Sequence, residues 1–90
     1  MNITQHVEIA TGMRFQWEPA QSVYVLLYPE GMVQLNRPAG EILSRCDGRT
    51  IQEIVKGVEE AFGASGLEAD VVEFLEDAVN KGWITTRGAQ

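Results

Sequence analysis

The longest uninterrupted apolar run in the chain is Val23-Tyr24-Val25-Leu26-Leu27-Tyr28, rich in β-branched and aromatic residues. It is too short for a stable helix and far below the roughly 20 residues that a membrane-spanning helix needs. A short run that is apolar at every position, rather than at every second one, reads as a strand covered on both faces. Pro29-Glu30-Gly31 follows at once, where proline presets the turn and glycine accepts positive φ, and Met32-Val33-Gln34-Leu35-Asn36 comes next. The pair predicts a β-hairpin. Upstream, Met13, Phe15 and Trp17 alternate with Arg14, Gln16 and Glu18 up to Pro19, which predicts a further strand with one apolar face.

Beyond Asn36 the period changes from two to that of a helix. Ala39, Ile42, Leu43 and Cys46 lie at i, i+3, i+4 and i+7, predicting a first helix over 38–46 with Asn36 or Arg37 near its cap and Asp47-Gly48 at its end. Thr50 with Glu53 is a capping box, opening a second helix whose Ile51, Ile54, Val55, Val58 and Phe62 share a face and which stops near Gly63. A third helix is expected over 67–81, with acidic residues early, Lys81 late and Gly82 as its αL terminator. Trp83 and Ile84 then close the domain. Residues 1–12 show no sustained period and are expected to form a flexible arm, residues 13–86 a single domain and residues 87–90 a tail. The fold class expected is α+β: a three-stranded antiparallel meander followed by three helices, similar to a winged helix-turn-helix in which Asp47-Gly48-Arg49 is the tight turn between helices one and two.

Charge and chemistry narrow the function. Thirteen acidic residues against seven Lys and Arg give a net charge of −6, which repels phosphate backbones and favours a basic or partly apolar partner. The third helix carries Glu68, Asp70, Glu73, Glu76 and Asp77 against Lys81, the wrong sign for a DNA-recognition helix. A transcription regulator is therefore an alternative only on helix order, and a homodimerisation module a second one through an open strand edge. The first residues have neither a basic nor an apolar secretory pattern, and one cysteine forms no internal disulfide, so a reducing, cytoplasmic setting is expected. His6, in the expected arm, reads as a solvated side chain, and Cys46, on an apolar stripe beside Asp47, as a small core residue. The chain shows no zinc spacing, no glycine-rich phosphate loop and no nucleophile with a base, so neither an enzyme nor a metal or cofactor site is expected.

What remains is backbone. In a meander the outer strands are edges, and an edge beside a helix accepts an added peptide strand. The third strand is the better edge, with Met32, Val33, Gln34, Leu35 and Asn36 on one side of a groove and Val71, Val72, Phe74, Leu75 and Ala78 of the third helix on the other. Any one of these apolar positions is equally readable as core, so the groove is a claim about the set.

The strings Trp17-Glu18-Pro19-Ala20-Gln21, Val25 through Val33, Leu35-Asn36, Ala39-Gly40-Glu41-Ile42-Leu43, Cys46-Asp47-Gly48, Glu53-Ile54-Val55 and Gly82-Trp83-Ile84 together resemble the PqqD family, over about residues 13 to 84. The resemblance implies a winged-helix-like recognition element in pyrroloquinoline quinone biosynthesis. Such an element binds the precursor peptide PqqA and delivers it to the radical S-adenosylmethionine enzyme PqqE. It also implies that the peptide docks as an extra strand on the third strand, facing the third helix, which falls on residues 32–36 and 67–81 here.

Overall fold

A computed structural model describes residues 1–88. The alternating segment around Phe15 forms β2 (Arg14–Glu18), and the long apolar run forms β3 (Val23–Tyr28), antiparallel to it with Phe15 opposite Leu26 and Trp17 opposite Tyr24. The hairpin turn at Pro29-Glu30 returns the chain as β4 (Gly31–Gln34), with Val33 opposite Leu26. Sheet order is β2-β3-β4, the expected meander. Neighbouring Val25 and Leu26 point to opposite faces of β3 and both are buried, which is why the central strand carries no alternation.

The helices follow in the expected order. Helix α1 (Arg37–Leu43) is capped by Asn36, whose Oδ1 accepts the Ala39 N–H at 2.9 Å. It lies close on β3: a Cβ at Gly40 would stand 2.7 Å from Cδ2 of Tyr24, so only glycine admits this approach. Helix α2 (Ile51–Phe62) opens on the capping box, with Glu53 Oε1 accepting the Thr50 N–H at 2.8 Å and Thr50 Oγ1 accepting the Glu53 N–H at 3.3 Å. The Thr50 N–H first, and then the Thr50 hydroxyl, which donates to the same Oε1 at 3.1 Å, hold the Glu53 carboxyl below its ordinary range. Helix α3 (Glu68–Asn80) ends in a Schellman pattern: Trp83 N–H donates to Ala78 O at 2.9 Å, Gly82 N–H to Val79 O at 3.0 Å, and Gly82 has φ of 77°.

A second sheet departs from the sequence expectation. Residues 6–9, expected in a flexible arm, are β1 (His6–Ile9), the central strand of an antiparallel sheet whose outer strands are β5 (Asp47–Thr50) and β6 (Ile84–Arg87). Val7 is fully buried there, and His6 is no loose side chain: its Nδ1 donates to the Gly48 carbonyl at 2.7 Å. The expected tight turn Asp47-Gly48-Arg49 is thus most of a strand, and Trp83-Ile84 leads into another, with Arg87 of the expected tail paired opposite His6. The last two residues of that tail lie outside the described residues. Four-residue strands whose partners are distant in sequence leave no local period to read, because their pairing is set by the core they jointly cover. Among the described residues the fold is therefore α+β with six strands in two sheets and three helices. Leu26, Leu43, Ile51, Ile54, Leu75, Ile84 and Val7 are wholly enclosed at its centre.

Candidate functional site

β4 ends its sheet, so one side of its backbone meets no other strand among the described residues. The Leu35 N–H donates to Tyr24 O at 3.0 Å, just beyond the last β3–β4 partners, Val25 and Gln34. In an antiparallel ladder hydrogen-bonded and non-bonded pairs alternate, so Val33 and Gly31 also face β3, whereas Met32 and Gln34 turn their N–H and C=O groups outward. These are the groups that an incoming strand takes up.

The chain leaves β4 through Asn36 directly onto the rim of a cavity of about 460 Å³. Its walls are built by Asn36, Pro38, Ala39 and Ile42 of the α1 segment, Val58 and Phe62 of α2, Ala64 and Leu67 of the connecting loop, and Asp70, Val71 and Phe74 of α3. Helical spacing explains the set. Ala39 and Ile42, Val58 and Phe62, and Val71 and Phe74 are each three or four residues apart on one helix face, and the three faces converge. The lining is apolar apart from Asn36 and Asp70, which suits hydrophobic side chains held by few polar groups. A second cavity of about 380 Å³ shares Asn36 and runs along Trp17, Tyr24, Leu35, Arg37 and Glu41. Trp17 is half exposed there and meets the Tyr24 ring edge to face at 4.9 Å.

The positions assigned from sequence fall into three groups. Asn36, Val71 and Phe74 line the larger cavity. Met32 and Gln34 are exposed on β4, with Val33 and Val72 partly buried beside the core. Leu35, Leu75 and Ala78 are buried in the core, Leu35 also reaching the wall of the second cavity. Sequence reasoning did not assign the α1 and α2 walls to the site. Ala39, Ile42, Val58 and Phe62 read as ordinary stripe positions, and the available signal was only that Phe62 puts a large ring at a helix end, where stripes usually taper.

Cys46 takes no part in this surface. It is buried, its Sγ donates to Ile42 O at 3.4 Å, and burial first, then the Asp47 charge, push its thiol up to about 12. A native pKa above the ordinary 9.0 contributes stability that is complete below about pH 9 and is lost as pH climbs towards 12. Two results are expected: no reaction of native protein with a thiol-labelling reagent at pH 8, and a steeper alkaline loss of stability in wild type than in Cys46→Ala, read by chemical denaturation.

Known proteins are similar to this chain in sequence and in fold. The family described as "Coenzyme PQQ synthesis protein D (PqqD)" matches residues 24–84. A PqqA binding protein of Methylococcus capsulatus is 51% identical over 79 residues, covering 87% of this chain and 85% of its own. One from Azotobacter vinelandii is 54% identical over 79 residues, with 86% of each chain covered. The solution NMR structure of the PqqD truncation of Methylobacterium extorquens PqqCD, described as a functional, stand-alone RiPP recognition element, superposes with a TM-score of 0.70 at 26% identity, covering 88% of this chain and 87% of that one. With its meander, its helical trio and a matched stretch that spans β3 to the start of β6, this chain belongs to the PqqD family.

Proposed function

We propose that this protein is a non-catalytic carrier in pyrroloquinoline quinone biosynthesis: it binds the PqqA precursor peptide as a strand added to β4 and presents it to the radical S-adenosylmethionine enzyme PqqE in the cytoplasm. The observation that carries the reading is the open edge of β4 running into an apolar cavity walled by α1, α2 and α3. The names of the relatives support the choice of peptide. Among the described residues no helix is long and apolar enough to cross a membrane.

Each apolar peptide side chain seated in the cavity contributes up to about 1.5–3 kcal/mol. Two or three anchors with main-chain bonds, less the ordering cost, reach on the order of 8 kcal/mol, or micromolar binding. That strength suits a carrier that must also release its cargo.

Calorimetric titration with a synthetic PqqA peptide, with and without PqqE, tests the reading. Gln34→Pro removes an outward N–H without touching a bond to β3, and proline is tolerated on edge strands. Its melting temperature is expected to stay near that of wild type, while peptide affinity falls about threefold to tenfold, the worth of a hydrogen bond at roughly 0.5–1.5 kcal/mol. Full affinity in the folded variant would exclude strand addition at β4. Wild-type protein that gives no heat in either titration, and a dilution-stable dimer by light scattering, would favour homodimerisation instead.

A further inference from the structure

Charge is distributed unevenly around the larger cavity. Arg37, the first residue of α1, holds its guanidinium carbon 4.5 Å from the centre of the Phe62 ring, and Phe62 lines the cavity. A guanidinium on a ring face is held in position while its in-plane N–H groups stay available for a carboxylate. Arg45, Arg49 and Arg87 each hold a carboxylate of this chain, but Arg37 makes no ion pair among the described residues, although acidic residues outnumber basic ones thirteen to seven. Asp70, which lines the same cavity from the first turn of α3, is likewise in no ion pair among the described residues. The apolar cavity thus has a carboxylate of α3 in its wall, while a positioned cation from α1 covers the Phe62 ring and lines the adjoining second cavity, which shares Asn36 with the first.

We propose that Arg37 determines specificity by pairing with a carboxylate of the bound peptide. Asp70 repels that carboxylate and accepts a basic side chain, so the order of acidic, apolar and basic residues in the peptide sets its direction in the groove. The inference rests on the peptide-binding reading and adds to it the charge pattern that the site recognises. A bidentate guanidinium pair demands a planar partner, so lysine at this position recovers only part of the interaction.

The test is a double-mutant cycle by calorimetry. Wild type, Arg37→Gln and Arg37→Lys are titrated with a synthetic PqqA peptide and with variants in which each Asp or Glu is replaced singly by Asn or Gln. Arg37→Gln is expected to weaken binding of the parent peptide about tenfold or more. One peptide substitution should weaken wild type by a similar factor and leave Arg37→Gln unaffected, with Arg37→Lys intermediate. Unchanged affinity of Arg37→Gln, or an equal loss with every peptide, overturns the assignment, the latter because Arg37 then acts only by bracing Phe62. If wild type binds and Gln34→Pro weakens it while no Arg37–carboxylate coupling emerges, this inference fails and the carrier reading stands. If wild type binds no peptide, both fail.

Discussion

Replacing Val7 by aspartate is expected to destabilise the protein by about 3–5 kcal/mol, the cost of an unpaired charge in the core. Val7 is fully buried on the central strand of the β5-β1-β6 sheet, and among the described residues no charged side chain is buried to pair with a new carboxylate. Domains of this size hold only about 5–15 kcal/mol in total, so the substitution removes about a fifth of the stability or more, and nearly all of it at the lower end. Circular dichroism during urea titration measures the effect. A midpoint close to wild type would mean that residues 6–9 are a dispensable arm, whereas Glu8→Gln on the exposed face of the same strand should cost little because it removes only a surface pair with Arg87.

Leu75→Ala is expected to cost about 2–5 kcal/mol, through lost burial plus the void it leaves. Leu75 is wholly enclosed on α3, one helical turn from the cavity-lining Val71. At about 4–8 °C per kcal/mol for a chain of this length, its melting temperature should drop by tens of degrees or somewhat less. Phe74→Ala, at the neighbouring cavity-lining position, should instead lower peptide affinity more than stability, because its ring is only partly buried. If Leu75→Ala melts like wild type but loses peptide, Leu75 is a groove contact and the core boundary on α3 is misplaced.

The contrast between these neighbours shows where sequence reasoning stops. Sequence periodicity puts Val71, Leu75, Ala78 and Val79 on one face of α3, with Val72 and Phe74 widening it, yet Val79 is exposed, because periodicity orders residues around a helix axis without saying where neighbouring elements end. Whether a position is enclosed or lines an opening depends on how far α1 and α2 extend beside it. Phe74 lines an opening that it shares with Ala64 and Leu67 of the α2–α3 loop, while Leu75 meets the packed centre. The same limit hid Arg37, an unremarkable cap residue in the sequence, which gains meaning only when the end of α2 brings Phe62 beneath it.

The sequence by itself determined what local chemistry controls: the meander strands through alternation and the run at Val23, the three helices through their stripes, and their ends through Asn36, the Thr50–Glu53 box, Gly63 and Gly82. Each of these signals spans a few residues and acts through backbone hydrogen bonds and side-chain periodicity. The tertiary structure alone decided the second sheet, because His6–Ile9, Asp47–Thr50 and Ile84–Arg87 become strands only when chain segments far apart in sequence meet over a shared core. It likewise decided the cavity, a property of three helix faces and one strand edge that no single segment contains. Contacts between distant segments depend on relative placement, and placement is set by the packing of the whole.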